Sequence, residues 1–311
     1  MKMNNINWEK LSKDDLVSLA ERLKKAKNCF IIAHNYQDIA VQKIADYVGD
    51  SLQMAKEAAK TNADIVLLCG IRIMAETAKV LNPDKKVLLS HYDADCPLAN
   101  MKKVEDLYLF KNKYPEAEVV CYVNSSIALK AESTITCTSG NVSKVIDSIS
   151  KNKEIIFIPD KNLGLWGAYK ANRKLIMWEA FCYVHDEITL EEVKIVREKY
   201  PDYSLIVHPE CKIEVCKEAD VVCSTSQMID YVKEHDKVII GTEIGLYNQL
   251  KFHYPEKQLV PLSHKMICID MKKTDLKTAV KTLAEERNEI FLSEEIIQKA
   301  KKSLNRMLII K

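Results

Sequence analysis

Glycine is scarce: the 311-residue chain holds only seven. Neither G-x-G-x-x-G nor G-x-x-x-x-G-K-[ST] occurs, so the backbone cradles for a dinucleotide pyrophosphate and for a nucleoside triphosphate are both missing. No C-x-x-C occurs among the ten cysteines, which weakens zinc-ribbon and thioredoxin readings. Charge of one sign is lacking too. The 46 basic and 44 acidic residues leave a formal +2, which gives no field for nucleic acid or an anionic membrane. No apolar run reaches the roughly 18 residues of a membrane span. The opening MKMNNINWEKLSKDD has no apolar h-region of a secretory signal. The expectation is a cytoplasmic chain with no membrane or nucleic-acid partner.

What is present is ordinary globular composition, long enough for two or three domains. Most cysteines fall in strand-like runs: Cys29 in NCFII, Cys69 in IVLLC, Cys121 in VVCYV, Cys223 in VVCST. The plain reading of each is a small buried apolar side chain, and reduced thiols are the default inside cells.

Three strand-like runs each end in a polar cluster: FIIAHNYQ, VVCYVNSS and LIVHPEC. Their anchors, His34, Tyr122 and His208, are 88 and 86 residues apart. Seventeen residues beyond each anchor stands a hydroxyl: Ser51, Ser139 and Thr225. Each opens an apolar-periodic run, as a helix N-cap does. Cys96, Cys182 and Cys268 follow their anchors by 62, 60 and 60 residues and one another by 86 and 86. VHPEC raises the question whether Cys211 is a ligand. The repeat answers against it, because Ser125 and Gln37 hold the equivalent places. Aligned anchors, hydroxyls and cysteines point to triplication.

Each unit reads strand, helix, strand, helix, strand, helix, strand. In the first these include the strand CFIIA, a helix near QKIADYV, the helix SLQMAKEAAK, the strand DIVLLC, the helix RIMAETAKVL and the strand KVLLS. Short β-branched runs alternating with amphipathic stretches predict an α/β fold: three similar three-layer αβα domains with parallel sheets. The expected divisions are 1–105, 106–190 and 191–273, with 274–311 forming C-terminal helices on the first repeat. Ligands of such sheets bind beyond the strand carboxyl ends, where all the repeated clusters fall. Units facing one another about a pseudo-threefold axis would bring them to one central cavity.

Three thiolates could hold zinc with a water, hold an iron–sulfur cluster with one iron lacking a cysteine, or be a structural relic of the repeat. An open iron would polarise a substrate oxygen and ease loss of hydroxide, which suits dehydration. His34, Tyr36, Tyr122, His208 and Glu210 supply acid–base groups, and Asn124 supplies uncharged hydrogen bonds. Ser51, Ser139 and Thr225, near helix N-termini, suit carboxylate or phosphate oxygens. Each has a plain alternative: a loop histidine, a half-buried tyrosine, a simple cap, a solvated carboxylate. Repetition of the polar choices favours the functional reading. Small acidic substrates fit the set better than bases.

At these residues the chain resembles the quinolinate synthase family of bacterial NAD biosynthesis. The motifs are HNYQ, GDSLQMA, GIRIMAETAK, YVNSS, CTSGN, PDKNLG, FCYVHDE, VHPE, CSTSQM and GTEIG, spread over nearly the whole chain. The resemblance implies three α/β domains around a pseudo-threefold central cavity. It implies a [4Fe–4S] cluster on Cys96, Cys182 and Cys268, with the fourth iron open to substrate as a Lewis acid. The implied reaction, a transferase chemistry, condenses iminoaspartate with dihydroxyacetone phosphate to quinolinate, losing phosphate and two waters. It also implies functional coupling to an L-aspartate oxidase or dehydrogenase. His34, Ser51, Tyr122, Asn124, Ser139, His208, Glu210 and Thr225 match substrate-binding positions. Tyr36 matches a tyrosine of the chemistry and of site closure. By this resemblance Glu210 would transfer protons with His208 beside it, and Tyr36 and Tyr122 would donate hydrogen bonds to substrate oxygens.

The chain departs from the family pattern where Ile269 and Asp270 follow Cys268 instead of proline, and in DADCPLAN around Cys96. It also lacks the C-x-x-C that some members carry near the third ligand. Two other classes stay open: a diphthamide-type radical enzyme, which needs S-adenosylmethionine and a protein substrate, and an iron–sulfur sensor, which needs an output element. No basic recognition helix or linker supplies the latter.

Overall fold

The computed structural model describes residues 6–310; the outermost residues of the expected first and last segments, 1–5 and 311, lie outside the described residues. The first repeat runs α1 (Lys13–Ala26), β1 (Cys29–His34), α2 (Ile39–Gln42), β2 (Tyr47–Gly49), α3 (Ser51–Lys60), β3 (Ile65–Cys69), α4 (Arg72–Leu81) and β4 (Lys86–Leu89). After α5 (Pro97–Asn100) and α6 (Val104–Lys113) the second runs β5 (Glu118–Tyr122), α7 (Ile127–Ala131), β6 (Ile135–Cys137), α8 (Val142–Ser148), β7 (Ile155–Ile158), α9 (Lys161–Ala171) and β8 (Ile176–Met177). After α10 (Tyr183–Asp186) and α11 (Leu190–Lys199) the third runs β9 (Ser204–Val207), α12 (Ile213–Glu218), β10 (Val221–Val222), α13 (Thr225–Glu234), β11 (Lys237–Gly241), α14 (Ile244–His253) and β12 (Gln258–Pro261). Then come α15 (Ile269–Lys272), α16 (Leu276–Glu285) and α17 (Glu294–Ile309).

The fold is α/β with three parallel four-stranded sheets, ordered β2-β1-β3-β4, β6-β5-β7-β8 and β10-β9-β11-β12. The physical reason lies in the strands. β3 (IVLLC) and β7 (IIFI) are buried at every position, as strands covered by helices on both faces must be. In each sheet the first strand lies between the second and the third, so the chain reverses direction of winding there. That is the switch point at which such sheets bind ligands.

The described residues form two compact units. One runs to Asp95 and takes back Ile269–Ser293; the other holds Cys96–Cys268 and the chain from Glu294. In the first unit α1 buries Leu16, Leu19, Ala20 and Leu23, one stripe at helical spacing, and its start is fixed by a reciprocal Ser12–Asp15 cap. That stripe joins Ile31, Leu67 and Leu88 of the sheet and Ala279, Val280 and Leu283 of α16 in one core. Full burial of a leucine such as Leu23 stabilises by about 1.5–3 kcal/mol. In the second unit Leu107, Val119, Leu129 and Ile156 form one core, and Val193, Leu205, Val215 and Ile239 another.

Two expectations are corrected. Tyr47 and Val48, read as the end of the helix near QKIADYV, belong to the edge strand β2 (Tyr47–Gly49), and the helix before it is the four-residue α2. Three residues are too few to display a strand's alternation. The tail does not pack wholly on the first repeat. α16 does lie there, but α17 packs on α7 and β6 of the second. Ser303 Oγ donates to the Lys130 carbonyl at 2.7 Å, and Thr136 Oγ1 donates to the Ser303 carbonyl at 3.2 Å. An amphipathic helix shows that it has an apolar face, not which sheet receives it.

Candidate active site and metal centre

The polar clusters stand at the carboxyl ends of the first strands. His34 ends β1, Tyr122 ends β5 and His208 follows β9; all three are buried. The two histidine turns share a local geometry. The Tyr36 N–H donates to His34 Nδ1 at 3.1 Å, and the Glu210 N–H lies 3.4 Å from His208 Nδ1. Tyr36 is buried edge-on against the His34 ring, 4.6 Å between centroids, and its carbonyl accepts from Lys272 Nζ at 2.5 Å. In the second repeat Asn124 Nδ2 donates to the Tyr122 hydroxyl at 2.9 Å, while the buried Asn124 Oδ1 has no partner.

The hydroxyls are not the caps that their spacing suggested. Asp50 and Ser224 cap α3 and α13, so Ser51 and Thr225 are the first helical residues; Asn141 stands before α8, and Ser139 lies in the turn ahead of it. This matters for anion binding. The Asp50 carboxylate already accepts from the N–H groups of Leu52 and Gln53 at 3.1 and 2.9 Å, so an anion at the start of α3 would meet a like charge. The neutral Ser224 cap leaves α13 better suited. Ser139 lines a cavity of about 740 Å³ whose wall includes Trp166, Lys170, Lys217 and Gln227.

The cysteine segments repeat down to the backbone. Two residues before each cysteine, a carbonyl accepts from the first N–H of a helix: Ala94 from Arg72 at 2.9 Å, Ala180 from Lys161 at 2.8 Å, Met266 from Ile244 at 2.7 Å. Cys96 and Cys182 then cap α5 and α10, and Cys268 directly precedes α15. Two carboxylates fix the latter cysteines: the Cys182 N–H donates to Asp160 Oδ2 at 3.0 Å and the Cys268 N–H to Glu243 Oε1 at 3.2 Å. Exposure sorts the ten thiols. Cys96, Cys182 and Cys268 are half-buried, and the other seven are buried. Burial pushes the Cys182 thiol well up, and the charges of Glu210, Asp160, Cys96 and Cys268 push it further. A cation reverses that logic. Cys211, by contrast, is fully buried in the apolar core of the third repeat.

Cys182, His185 and Glu210 bring a sulfur, a ring nitrogen and a carboxylate oxygen within 4.8 Å of one another, a group able to hold a metal ion. His185 Nδ1 is 3.2 Å from Cys182 Sγ and 3.0 Å from Glu210 Oε2, and its Nε2 is 3.0 Å from Thr242 Oγ1. His208 Nδ1 is 3.2 Å from the same Glu210 Oε2. That nitrogen cannot both carry a proton for the carboxylate and accept from the Glu210 amide. The shorter, charge-assisted contact favours the proton on Nδ1. Burial pushes the Glu210 carboxyl up, but the hydrogen bonds and charges of His185 and His208 outweigh it and hold the group below the usual carboxylate range. Asp160 goes the other way: burial and the Glu210 charge raise its carboxyl well above that range. Glu210 Oε1 has no hydrogen-bond partner.

A family model described as quinolinate synthetase A protein matches residues 19–309. The chain belongs to that family. It is 47% identical over 304 residues to the quinolinate synthase of Alkaliphilus metalliredigens, covering 97% of this chain and 100% of the relative. It is 44% identical over 300 residues to that of Methanoregula boonei (95% and 99%) and 44% over 291 to that of Caldicellulosiruptor saccharolyticus (93% and 96%). No helix among the described residues is long and apolar enough to cross a membrane.

Within this member of the quinolinate synthetase A family, sequence reasoning singled out Cys182, His208 and Glu210 but passed over His185, Asp160, Thr242 and Glu243. The signals were in hand. FCYVHDE puts His185 one helical turn after Cys182. Asp160 and Glu243 each stand immediately before their helices, at caps where the first repeat has Ile71.

Proposed function

We propose that this chain is a quinolinate synthase, condensing iminoaspartate with dihydroxyacetone phosphate and releasing phosphate and two waters. The observation that supports this most is Glu210: one carboxylate oxygen is gripped by two imidazoles, the other is unpaired, and Cys182 is alongside. The overall change closes a ring through one new carbon–carbon and one new carbon–nitrogen bond. It exchanges no electrons with an outside partner, so the protein's own task is to hold anions and move protons.

Three half-buried thiols, one in each cysteine segment of the repeat, fit a [4Fe–4S] cluster, which Cys96, Cys182 and Cys268 would hold. When bound, the cluster supplies a Lewis acid through the iron without a cysteine. The remaining chemistry falls to side chains. Glu210 accepts substrate protons at Oε1, with Oε2 fixed by His185 and His208. A carboxylate so stabilised is a weak resting base, and the His208 Nδ1–H keeps Oε2 fixed while Oε1 takes the proton. Tyr122 donates to a substrate oxygen while Asn124 orients its hydroxyl. Thr225, at the start of a ten-residue helix with an uncharged cap, takes an anionic oxygen. Ser139 binds substrate from the turn before α8. By the family resemblance His34, Ser51 and Tyr36 would also contact substrate.

Moving a carbon chain from dihydroxyacetone phosphate is transferase chemistry, a step of NAD biosynthesis. Iminoaspartate hydrolyses in water, so an oxidase or dehydrogenase acting on L-aspartate must supply it nearby. Reduced thiols and an exposed cluster suit the cytoplasm. The test is anaerobic: protein loaded with iron and sulfide, given both substrates, should form quinolinate. A fully loaded chain that makes none refutes the proposal.

A further inference from the structure

The cavity that Ser139 lines is larger than the proposed reaction needs, and it is built for different chemistry. Its volume of about 740 Å³ falls within the roughly 300–1,000 Å³ of small-molecule sites. Dihydroxyacetone phosphate carries a phosphate and three carbons but no ring. The wall carries two aromatic rings and two ammonium groups. Trp166 and Tyr169 both come from α9, with ring centroids 5.7 Å apart. Trp166 is half-buried and packs on the core of the third repeat, which fixes it. Tyr169 is 58% exposed, so its ring has surface to offer a ligand. Lys170 Nζ lies 5.6 Å from the Trp166 ring centroid, and Lys217 Nζ, from α12, lies 5.3 Å from that of Tyr169. These cation–π contacts hold the two heads in place. Among the described residues neither lysine has a carboxylate partner, so both charges are available to an anion. Asp220 lines the same cavity, but its charge is offset. Its Oδ2 is 3.0 Å from Arg197 Nη2 and accepts from the Leu205 N–H at 2.7 Å. Among the described residues Oδ1 makes no hydrogen bond, so it can accept from a ligand hydroxyl.

We propose that this cavity binds a nucleoside phosphate: the base stacks on Tyr169, Lys170 and Lys217 hold the phosphate, and Asp220 Oδ1 accepts from the ribose hydroxyls. Each part of the wall answers to one part of that ligand. An aromatic side chain stacks on any base, because every base has a π-face. Lysine holds phosphate as a point charge. A carboxylate receives a ribose hydroxyl in dinucleotide sites. A triose phosphate would leave the rings and Asp220 unused. An aromatic acid without a sugar would bring its own charge to Asp220 and no hydroxyl. The missing glycine cradles exclude a phosphate held by backbone N–H groups, not one held by side chains. Ser139 belongs to this wall and to the proposed substrate set, so a bound nucleotide should raise the KM for substrate. That effect on KM rests on the proposed function; the binding does not.

The test is isothermal titration of the full chain, reconstituted anaerobically with iron and sulfide, against AMP, UMP, adenosine and inorganic phosphate. The variants are Tyr169→Ala and the double change Lys170→Glu with Lys217→Glu. AMP and UMP should both bind, each at least about tenfold more tightly than adenosine or phosphate. Tyr169→Ala should weaken AMP by about 5–100-fold, the range of base stacking on an aromatic ring. The double variant should lose the advantage of AMP over adenosine. All three side chains are exposed and lie outside the proposed catalytic set, so kcat and KM without nucleotide should match the parent's. Failure of both nucleotides to bind overturns the proposal. So does phosphate or adenosine bound as tightly as AMP, or a Tyr169→Ala variant that binds AMP as the parent does. A raised KM for dihydroxyacetone phosphate in both variants, with no nucleotide present, would give the cavity to that substrate and also overturn it. A chain that binds AMP in this pattern but makes no quinolinate supports the site and refutes only the proposed reaction.

Discussion

Glu210→Gln separates the two jobs assigned to the carboxylate. The amide keeps the shape and one oxygen acceptor for the imidazoles, but it loses the charge and cannot take a proton. Glu210 is 3% exposed, so no solvent replaces what is lost. Its charge-assisted hydrogen bonds from His185 and His208 are each of a kind that contributes about 1.5–3 kcal/mol. Part of that survives because the amide oxygen still accepts. A positioned acid–base group contributes about 10²–10⁴-fold to rate, which is about 3–5 kcal/mol of barrier at roughly 1.4 kcal/mol per decade. The expected outcome is a kcat loss of about two to four decades with substrate binding within about a few fold, because anion binding is spread over other residues. The assay is single-turnover quinolinate formation beside direct binding of each substrate to loaded protein. A variant turning over within a factor of about three of the parent would refute the role. Loss of binding in step with loss of rate would make Glu210 a binding group only.

Other perturbations test other links. Cys96→Ser, Cys182→Ser and Cys268→Ser should each lose most bound iron, whereas Cys211→Ser should keep it, since Cys211 is buried in an apolar core; iron analysis after anaerobic reconstitution decides. Glu286 pairs with Lys27 and Lys86, and those partners hold its carboxyl below the ordinary 4.5. A depressed carboxyl contributes stability above its unfolded pKa and loses it as pH falls through the folded one. Glu286→Gln should therefore lower the melting temperature near pH 7, by the equivalent of about 1 kcal/mol for partly exposed pairs. The difference should vanish in acid below the folded pKa, and melts across pH check this. Gly241→Ala would put a methyl 2.7 Å from Val207 Cγ1 and 3.2 Å from the Ile206 carbonyl. Overpacking of that size costs about 1–3 kcal/mol. Because the Gly241 carbonyl accepts from the His208 N–H, activity should fall with stability in that variant.

The three-sheet architecture was legible because the inner strands, such as β1 (CFIIAH), β3 (IVLLC), β7 (IIFI) and β11 (KVIIG), are runs rich in β-branched residues and leucine, and the order of elements repeats three times. The edge strand β2 was not, since Tyr47–Gly49 is too short to carry a pattern. Cys96, Cys182 and Cys268 stood out by even spacing, and exposure separates the same three from the other seven thiols. His185 was legible one helical turn after Cys182, but its meeting with Thr242 was not, because the two meet across 57 residues of chain and no periodicity encodes that. The caps Asp50 and Ser224 were hidden by one position. A hydroxyl at the first helical residue looks the same in sequence as a hydroxyl one step earlier, although only the earlier one accepts from the helix N–H groups.

The most direct test is Mössbauer spectroscopy of protein reconstituted with ⁵⁷Fe, before and after quinolinate is added. The account predicts iron sites in a ratio of about three to one, with only the minority site responding to the ligand. A cluster whose irons all ignore quinolinate, or a chain whose iron binding survives loss of Cys182, would contradict it.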